Sequence, residues 1–538
     1  MKTSWLRRDF LKAIGLGTTS LAISGSAALS EGSISDNIQT QRPNILILMT
    51  DQQRFNSLSC YGCRIIDTPN LDRLAKEGAL FENCYASCPI CTPSRASMLT
   101  GLAVPGHGVY KLHDILPDDQ VLLPKRLQAL GYETSLVGKL HVSGLWHEAE
   151  NRHPNDGFEH YHWCIDPGLN FDSKYNAFAR WVKKKDSVFY EKLKNEGKGL
   201  HHFPAHLHFT RWASETTLDL IKHRDKNRQF FVLMSLFDPH DPYYDHPLES
   251  RKMVRERQLR EPLLANDDED MPKGIKREME KAHSIKTEGQ TFKAPVKELR
   301  KGYYASIAFL DQEIGKILNY LDSEGLTKNT VVIFVSDHGD MLWDKGLFTK
   351  GAFFYDPSVR VPFLMRFPAR IPAGTTVRSP VQLLDISATV LSSAGHDKEQ
   401  VKKAMPRAMD LIELVKKGPT YENYRDHAVC VYRNTGYGPG HKYFEPPIHA
   451  TMFRDRRYKL NVYHSTGVDE DTQGELYDMV SDPQEIKNLW NDPQYANVKV
   501  KLMGRLMDWM VENNVRNFGS RGGERFFTLK KSYYGDEK

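Results

Sequence analysis

Val331–Asp340 reads VVIFVSDHGD. Five apolar residues run without interruption, then the chain turns abruptly polar at Ser336, Asp337 and His338. A strand with one wet face alternates apolar and polar residues. A run apolar throughout is buried on both faces, as in a parallel sheet covered by helices. Four other runs have the same character: Asn44–Thr50 (NILILMT), Thr134–Val137, Phe230–Phe237 (FFVLMSLF) and Pro362–Phe367. Helical segments alternate with them. One opens at Thr68-Pro69, a cap followed by proline at the first helical position, and stops near Gly78. Others cover Leu122–Leu130, ending at Gly131, and Tyr303–Glu324, ending at Gly325. The alternation predicts an α/β fold with a central, mainly parallel sheet.

Each of the first four core runs ends in chemistry. Asp51-Gln52 follows the first, Lys139 and His141 the second, Asp238 and His240 the third, and Asp337-His338-Gly339 the fourth. A polar residue after one strand is usually a loop. Four such clusters are a constellation, because open α/β sheets bind ligands beyond the carboxyl ends of their strands.

A second stretch, CTPSRASMLTG at Cys91–Gly101, predicts a short helix. Thr92 is expected to cap it, Pro93 suits its first position, and Gly101 can end it. Residue 91 would then lie at a helix N-terminus, where free N–H groups and the dipole favour an anion. Arg95, one turn in, can reach the same anion.

The pattern Cys-x-Pro-Ser-Arg with a Leu-Thr-Gly end resembles the signature of the type I sulfatases, in the alkaline phosphatase superfamily. The resemblance runs from Arg42 to about Leu489 and includes GYETSLVGKLH, SDHGD and ELYDMVSDPQEIKNL. It implies an alkaline-phosphatase-like fold with a smaller C-terminal α+β subdomain. It also implies that Cys91 is oxidised to formylglycine (3-oxoalanine) by a maturation enzyme, and that one calcium ion is held by Asp51, Gln52, Asp337, His338 and residue 91. Asp and Asn are common in the family where Gln52 and His338 stand here, and His338 is a poorer donor for a hard cation. The hydrated aldehyde would attack sulfur with help from Asp337. Lys139, Lys350, Arg95 and the metal would hold the sulfate oxygens. His240 would protonate the departing oxygen, with or without Lys350. His141 would deprotonate the second hydroxyl.

Rival readings remain at this stage. A phosphonate monoester or phosphodiester hydrolase of the same superfamily shares the nucleophile and metal site. A non-catalytic glycan-binding descendant would have no need of the full set of Cys91, Arg95, His240 and Asp337.

The rest of the chain supplies context. With 538 residues, more than one core is expected. A net charge of +5 from 73 basic and 68 acidic residues fits an anionic substrate but gives no stripe for nucleic acid. RRDFLK at Arg7–Lys12, followed by a mildly apolar Gly- and Ser-rich run, reads as a twin-arginine export signal over residues 1–30. This implies a bacterial periplasmic or secreted protein with no membrane span. Residues 42–422 read as the catalytic domain and 423–525 as a C-terminal subdomain built on an antiparallel sheet. Seven cysteines permit a disulfide among Cys60, Cys63, Cys84 and Cys88, or CxxC metal chemistry. The charged segment from Asp245 to Gln290 reads as a solvated insertion, a lid or a subunit contact. HHFPAHLH (His201–His208) reads as a polar loop rather than a second metal site. The loop RNTGYGPGHKYFEPP brings Tyr437, His441 and Tyr443 either to the cleft mouth, where aromatics stack on sugar faces, or against the main domain. A sulfated carbohydrate is the substrate expected.

Overall fold

The computed structural model describes residues 42–263, 271–288, 295–418, 424–435, 443–466 and 471–513. The export-signal reading and the positions Tyr437 and His441 lie outside the described residues.

The strands in chain order are β1 (Asn44–Thr50), β2 (Ala79–Phe81), β3 (Cys84–Tyr85), β4 (Glu133–Gly138), β5 (His160–Trp163), β6 (Phe230–Ser235), β7 (Thr330–Ser336), β8 (Arg360–Val361), β9 (Phe363–Arg366), β10 (Thr375–Val377), β11 (Val381–Gln382), β12 (Ala428–Arg433), β13 (His449–Arg454), β14 (Tyr458–His464) and β15 (Gln473–Asp478). Eight of them form the main sheet in the order β10-β2-β9-β7-β1-β6-β4-β5. The four runs that end in polar clusters are β7, β1, β6 and β4. They are neighbours at its centre and all parallel, so their carboxyl ends share one edge.

The unbroken apolar interiors of β1, β6 and β7 follow from burial on both faces. In β1, Ile45, Ile47 and Met49 enter one core, while Leu46 and Leu48 enter the other. In β7, Val331, Ile333 and Val335 divide in the same way from Val332 and Phe334. Each such side chain stabilises the fold by roughly 1.5–3 kcal/mol. The run at Pro362–Phe367 departs from expectation: as β9 it lies antiparallel to both β7 and β2. An apolar run reports burial, not strand direction.

The predicted helices appear as Pro69–Glu77, Leu123–Ala129 and Val296–Ser323. Thr68 makes no side-chain cap for the first. The Asp311 carboxylate, from the long third helix, instead accepts from the backbone of Asn70 and Leu71.

β12–β15 form a separate antiparallel sheet. It shares a core with Tyr85, Ile90 and Phe353-Phe354. Val431 of β12 donates to the carbonyl of Ser87, four residues before position 91. Beneath this sheet Lys459, fully buried, binds Asp356 at 2.5 Å and Glu485 at 2.7 Å. The charged segment is more than solvated chain: in its helix Lys273–Glu288, the buried Glu278 accepts from the backbone of Ala352 at 2.7 Å, two residues from Lys350. All seven cysteines are unbridged. Among the described residues no helix is long and apolar enough to cross a membrane.

Candidate active site

Residue 91 begins the helix Cys91–Thr100, every residue of which is buried. Ile90, not Thr92, is its N-cap. Thr92 sits inside the first turn and uses its hydroxyl elsewhere, donating to Leu112 O at 2.8 Å. Gly101 ends the helix in the left-handed region with φ 70°, as the sequence predicts.

The sheet edge delivers the other groups to Cys91. Lys350 Nζ stands 3.1 Å from its sulfur, and so does His338 Nε2; Asp51 Oδ1 is 3.8 Å away. Arg95 crosses beneath, donating from Nε to Asp337 Oδ2 at 2.7 Å and from Nη2 to Asp51 Oδ2 at 3.1 Å. Its Nη1 donates to Lys139 O and Ser235 Oγ. Lys139 Nζ binds Asp51 Oδ2 at 2.6 Å. Gly138, with φ 101°, lets β4 reach this position, since any Cβ there would lie 2.0 Å from Ser235 O.

Charge balance dominates this buried space. Burial alone would raise the Cys91 thiol, but Lys139, Lys350 and His338 hold it well below its ordinary value. Burial and Cys91 would likewise raise Asp51, yet Lys139, His240 and Arg95 keep it strongly depressed. Whatever occupies position 91 is therefore stabilised as an anion.

Two backbone positions are strained to aim side chains inward. Gln52 has φ 64° and His141 has φ 55°. The Gln52 amide is fixed by donors and acceptors on both sides. Its Nε2 donates to Asp340 Oδ2 (2.7 Å), Tyr243 OH (3.1 Å) and Asp241 Oδ1 (3.2 Å), and its Oε1 accepts from Lys350 at 2.7 Å. Buried Glu148 pins the turn at His141 by accepting from the backbone of His141, Val142 and Ser143. Because the Thr92 hydroxyl donates to Leu112, it accepts from His141 Nε2 at 3.1 Å. His141 Nδ1 is then a buried lone pair with no nitrogen or oxygen partner, and the ring hydrogen-bonds with Cys91. Burial, with Lys139 nearby, holds this imidazole neutral by lowering its pKa to about 3.

His240 lies at the rim. Its Nδ1 is 2.9 Å from Asp241 O and its Nε2 is 2.9 Å from Lys350 Nζ. Asp238 turns away and accepts from Thr210 Oγ1.

Asp51, Cys91, Asp337 and His338 form a cluster whose donor atoms lie within 4.8 Å of one another. Each carboxylate gives one oxygen to Arg95 and keeps Oδ1 toward the cluster. His338 Nδ1 donates to Gly339 O at 2.9 Å; against burial, Asp337 and Cys91 raise its pKa and favour a second proton on Nε2, which a cation held by the cluster would displace to take the lone pair. This set suits a divalent cation. Gln52 Oε1 faces Lys350 at the same place. Among the described residues it is the one such cluster; the histidines of HHFPAHLH are not gathered, and Phe203 pairs with the backbone of Asp245.

The site thus unites Asp51, Gln52, Cys91, Arg95, Lys139, His141, His240, Asp337, His338 and Lys350. Tyr443 is described but exposed, with Lys111 Nζ 5.1 Å from its ring centroid. Sequence reasoning missed Asp241, Tyr243, Asp340 and Glu148. Asp340 stands in SDHGD, already singled out, and Asp241 and Tyr243 lie one and three residues after His240. Glu148 lies five to seven residues past the backbone groups it holds, and no motif marks it.

Similar proteins are known. A family model described as Sulfatase matches residues 43–396, and one described as N-sulphoglucosamine sulphohydrolase, C-terminal, matches 343–512. An N-acetylglucosamine-6-O-sulfatase of Bacteroides thetaiotaomicron is 28% identical over 522 residues, covering 86% of each chain. An arylsulfatase of Clostridium perfringens is 29% identical over 479 residues, covering 84% of this chain and 91% of its own. Among solved structures, a phosphonate monoester hydrolase from Silicibacter pomeroyi superposes with TM-score 0.73 at 20% identity, covering 88% of this chain and 96% of its own.

Proposed function

This chain belongs to the sulfatase family, a family of sulfuric ester hydrolases, and from that premise we propose that it removes sulfate from a sulfated oligo- or polysaccharide after export from a bacterial cytoplasm. The observation that carries the reading is the convergence of Lys350, Lys139 and Arg95 around residue 91. The glycan assignment draws on the relatives, which include an N-acetylglucosamine-6-O-sulfatase and an ulvan-active sulfatase of Formosa agariphila. The export reading rests on the RRDFLK segment.

In this reading a maturation enzyme converts Cys91 to formylglycine, whose hydrate offers two hydroxyls on one carbon. A plain Ser or Cys could not expel sulfate by losing a second proton. Asp51, Asp337, His338, residue 91 and Gln52 hold one calcium ion, which when bound polarises the sulfate and favours an ionised hydroxyl. Lys139 and Lys350 hold sulfate oxygens with fixed cations, which requires no reorganisation as charge builds. Arg95 acts one step back, orienting both aspartates. Asp337 takes the proton of the attacking hydroxyl. His240, at the open rim, accepts from the Lys350 ammonium at Nε2 and passes that proton to the departing sugar oxygen. His141 Nδ1, a neutral buried lone pair, accepts the proton of the second hydroxyl.

Mass spectrometry of the peptide bearing residue 91 tests this directly. Active enzyme should carry 3-oxoalanine there, and an unmodified thiol in active enzyme would refute it. Cys91→Ala should abolish sulfate release with the fold intact. The phosphonate hydrolase reading rests on shared fold, and faster turnover of an aryl phosphonate than of an aryl sulfate would establish it instead.

A further inference from the structure

His240 is held on three sides at the rim of the site. Its backbone N–H donates to Phe237 O at 3.0 Å, and its ring lies against that of Phe237, with centroids 4.7 Å apart. Its Nδ1 faces two oxygens of the next residue, Asp241 O at 2.9 Å and Asp241 Oδ1 at 3.1 Å. A carbonyl oxygen can only accept, so Nδ1 carries the proton, and Nε2 keeps the lone pair that accepts from Lys350 at 2.9 Å.

The backbone carbonyl alone would set this tautomer. The Asp241 carboxylate adds a charge, and the fold locks that charge in place. Oδ1 also accepts from Gln52 Nε2 at 3.2 Å, and the same amide is anchored by Asp340 and Tyr243. The Asp241 and His240 side chains are only 14% and 11% exposed. With water so largely excluded, a carboxylate at this distance acts strongly on the charge of the ring.

We propose that Asp241 is a positioning residue for the acid step: it aims His240 and offsets the positive charge that the imidazole takes on while passing a proton to the departing oxygen. This rests on the sulfatase reading for the reaction itself. In the step, the S–O ester bond breaks and its electron pair stays on the departing oxygen. Lys350 gives a proton to Nε2, the ring is briefly a cation beside the Asp241 carboxylate, and Nε2 gives the proton on to that oxygen. The neutral Lys350 then recovers a proton from water. The contribution of Asp241 grows with the basicity of the departing oxygen, because a weakly basic phenolate leaves without a proton and an alkoxide does not.

The test is the dependence of kcat/KM on the leaving group, measured on the active full-length protein with aryl sulfates of graded phenol acidity and one alkyl sulfate. Asp241→Asn keeps the size and the acceptor oxygen and removes the charge. It should lower kcat/KM about tenfold for the alkyl sulfate, within the roughly 10²–10⁴-fold that general acid catalysis supplies. The loss should shrink steadily as the phenol becomes more acidic, so that the line against leaving-group pKa is steeper than in the parent. His240→Ala should steepen it at least as much, and adding Asp241→Asn to that variant should steepen it no further. An equal loss for every leaving group would mark a merely structural role and overturn the proposal. Further steepening in the double variant would overturn it too, because Asp241 would then act apart from His240. Failure of the sulfatase reading would show separately, as absence of aryl sulfate hydrolysis by the unsubstituted protein.

Discussion

The Lys350 ammonium stands nearer to the Cys91 sulfur than the Asp51 carboxylate does, 3.1 Å against 3.8 Å. The same nitrogen is within 2.9 Å of His240 and 2.7 Å of Gln52. A lysine beside glycine usually points to solvent, and the sequence LFTKG alone gives no reason to expect otherwise. In the structure it links nucleophile, rim histidine and Gln52. Removing a donor aimed at developing charge typically costs about 10²–10³ in kcat. Lys350→Ala should lower kcat on an aryl sulfate by that factor. Steady-state kinetics would contradict the role if kcat fell less than about threefold.

Metal binding should be visible without activity. Asp51 and Asp337 each keep one oxygen toward the donor cluster, with His338 Nε2 between them. A ligand that binds only the folded state raises its stability with concentration. Adding calcium to chelator-treated protein should therefore raise Tm, and the rise should vanish in Asp337→Asn. His338→Ala should shift the calcium dependence to higher concentration. A Tm indifferent to calcium in the unsubstituted protein would argue against a calcium site here.

The lysine beneath the C-terminal sheet is a stability determinant. Lys459 is fully buried and holds Asp356 and Glu485, both nearly inaccessible to water. Removing one partner of such a cluster leaves uncompensated buried charge, at a cost of about 3–5 kcal/mol. Denaturant unfolding of Lys459→Met should show a loss of that size. A loss below about 1 kcal/mol would mean that the cluster contributes little.

The legible parts of the fold were those in which one local property decides the outcome. β1, β6 and β7 were readable because burial on both faces leaves only apolar residues in their interiors, and the ends of all four central strands, β4 with its Thr134 and Ser135 included, were readable because polar residues then appear together. β9 shows the limit: its apolar run was visible, its direction was not. Thr68 and Thr92 show another. Each has the residue type of a helix cap but bonds elsewhere: the Thr68 hydroxyl pairs with Ser59 and Asp72 while Asp311 caps the helix from another element, and the Leu112 carbonyl takes the Thr92 hydroxyl. Lys459 acts wholly through distant contacts, and nothing adjacent to it in sequence announces this.

A last prediction concerns acid stability. His246 is fully buried in the loop after His240; its Nδ1 is 2.9 Å from Tyr243 O, and its Nε2 has no partner. Burial first, then the neighbouring His202 and Arg251, lower its pKa from 6.5 to about 3. The unfolded chain therefore binds a proton at this residue between those two values while the folded chain does not. Stability from this group is complete above pH 6.5 and is lost as pH falls toward 3. From pH 7 to pH 5 the loss should be roughly 2 kcal/mol by this linkage. His246→Leu removes the titration, and denaturant unfolding at both pH values should show a smaller acid-induced loss than in the parent. The sign matters more than the size, because other groups titrate in both proteins and cancel in the comparison. A parent and variant that lose equal stability between pH 7 and pH 5 would mean that His246 is protonated in the folded chain after all.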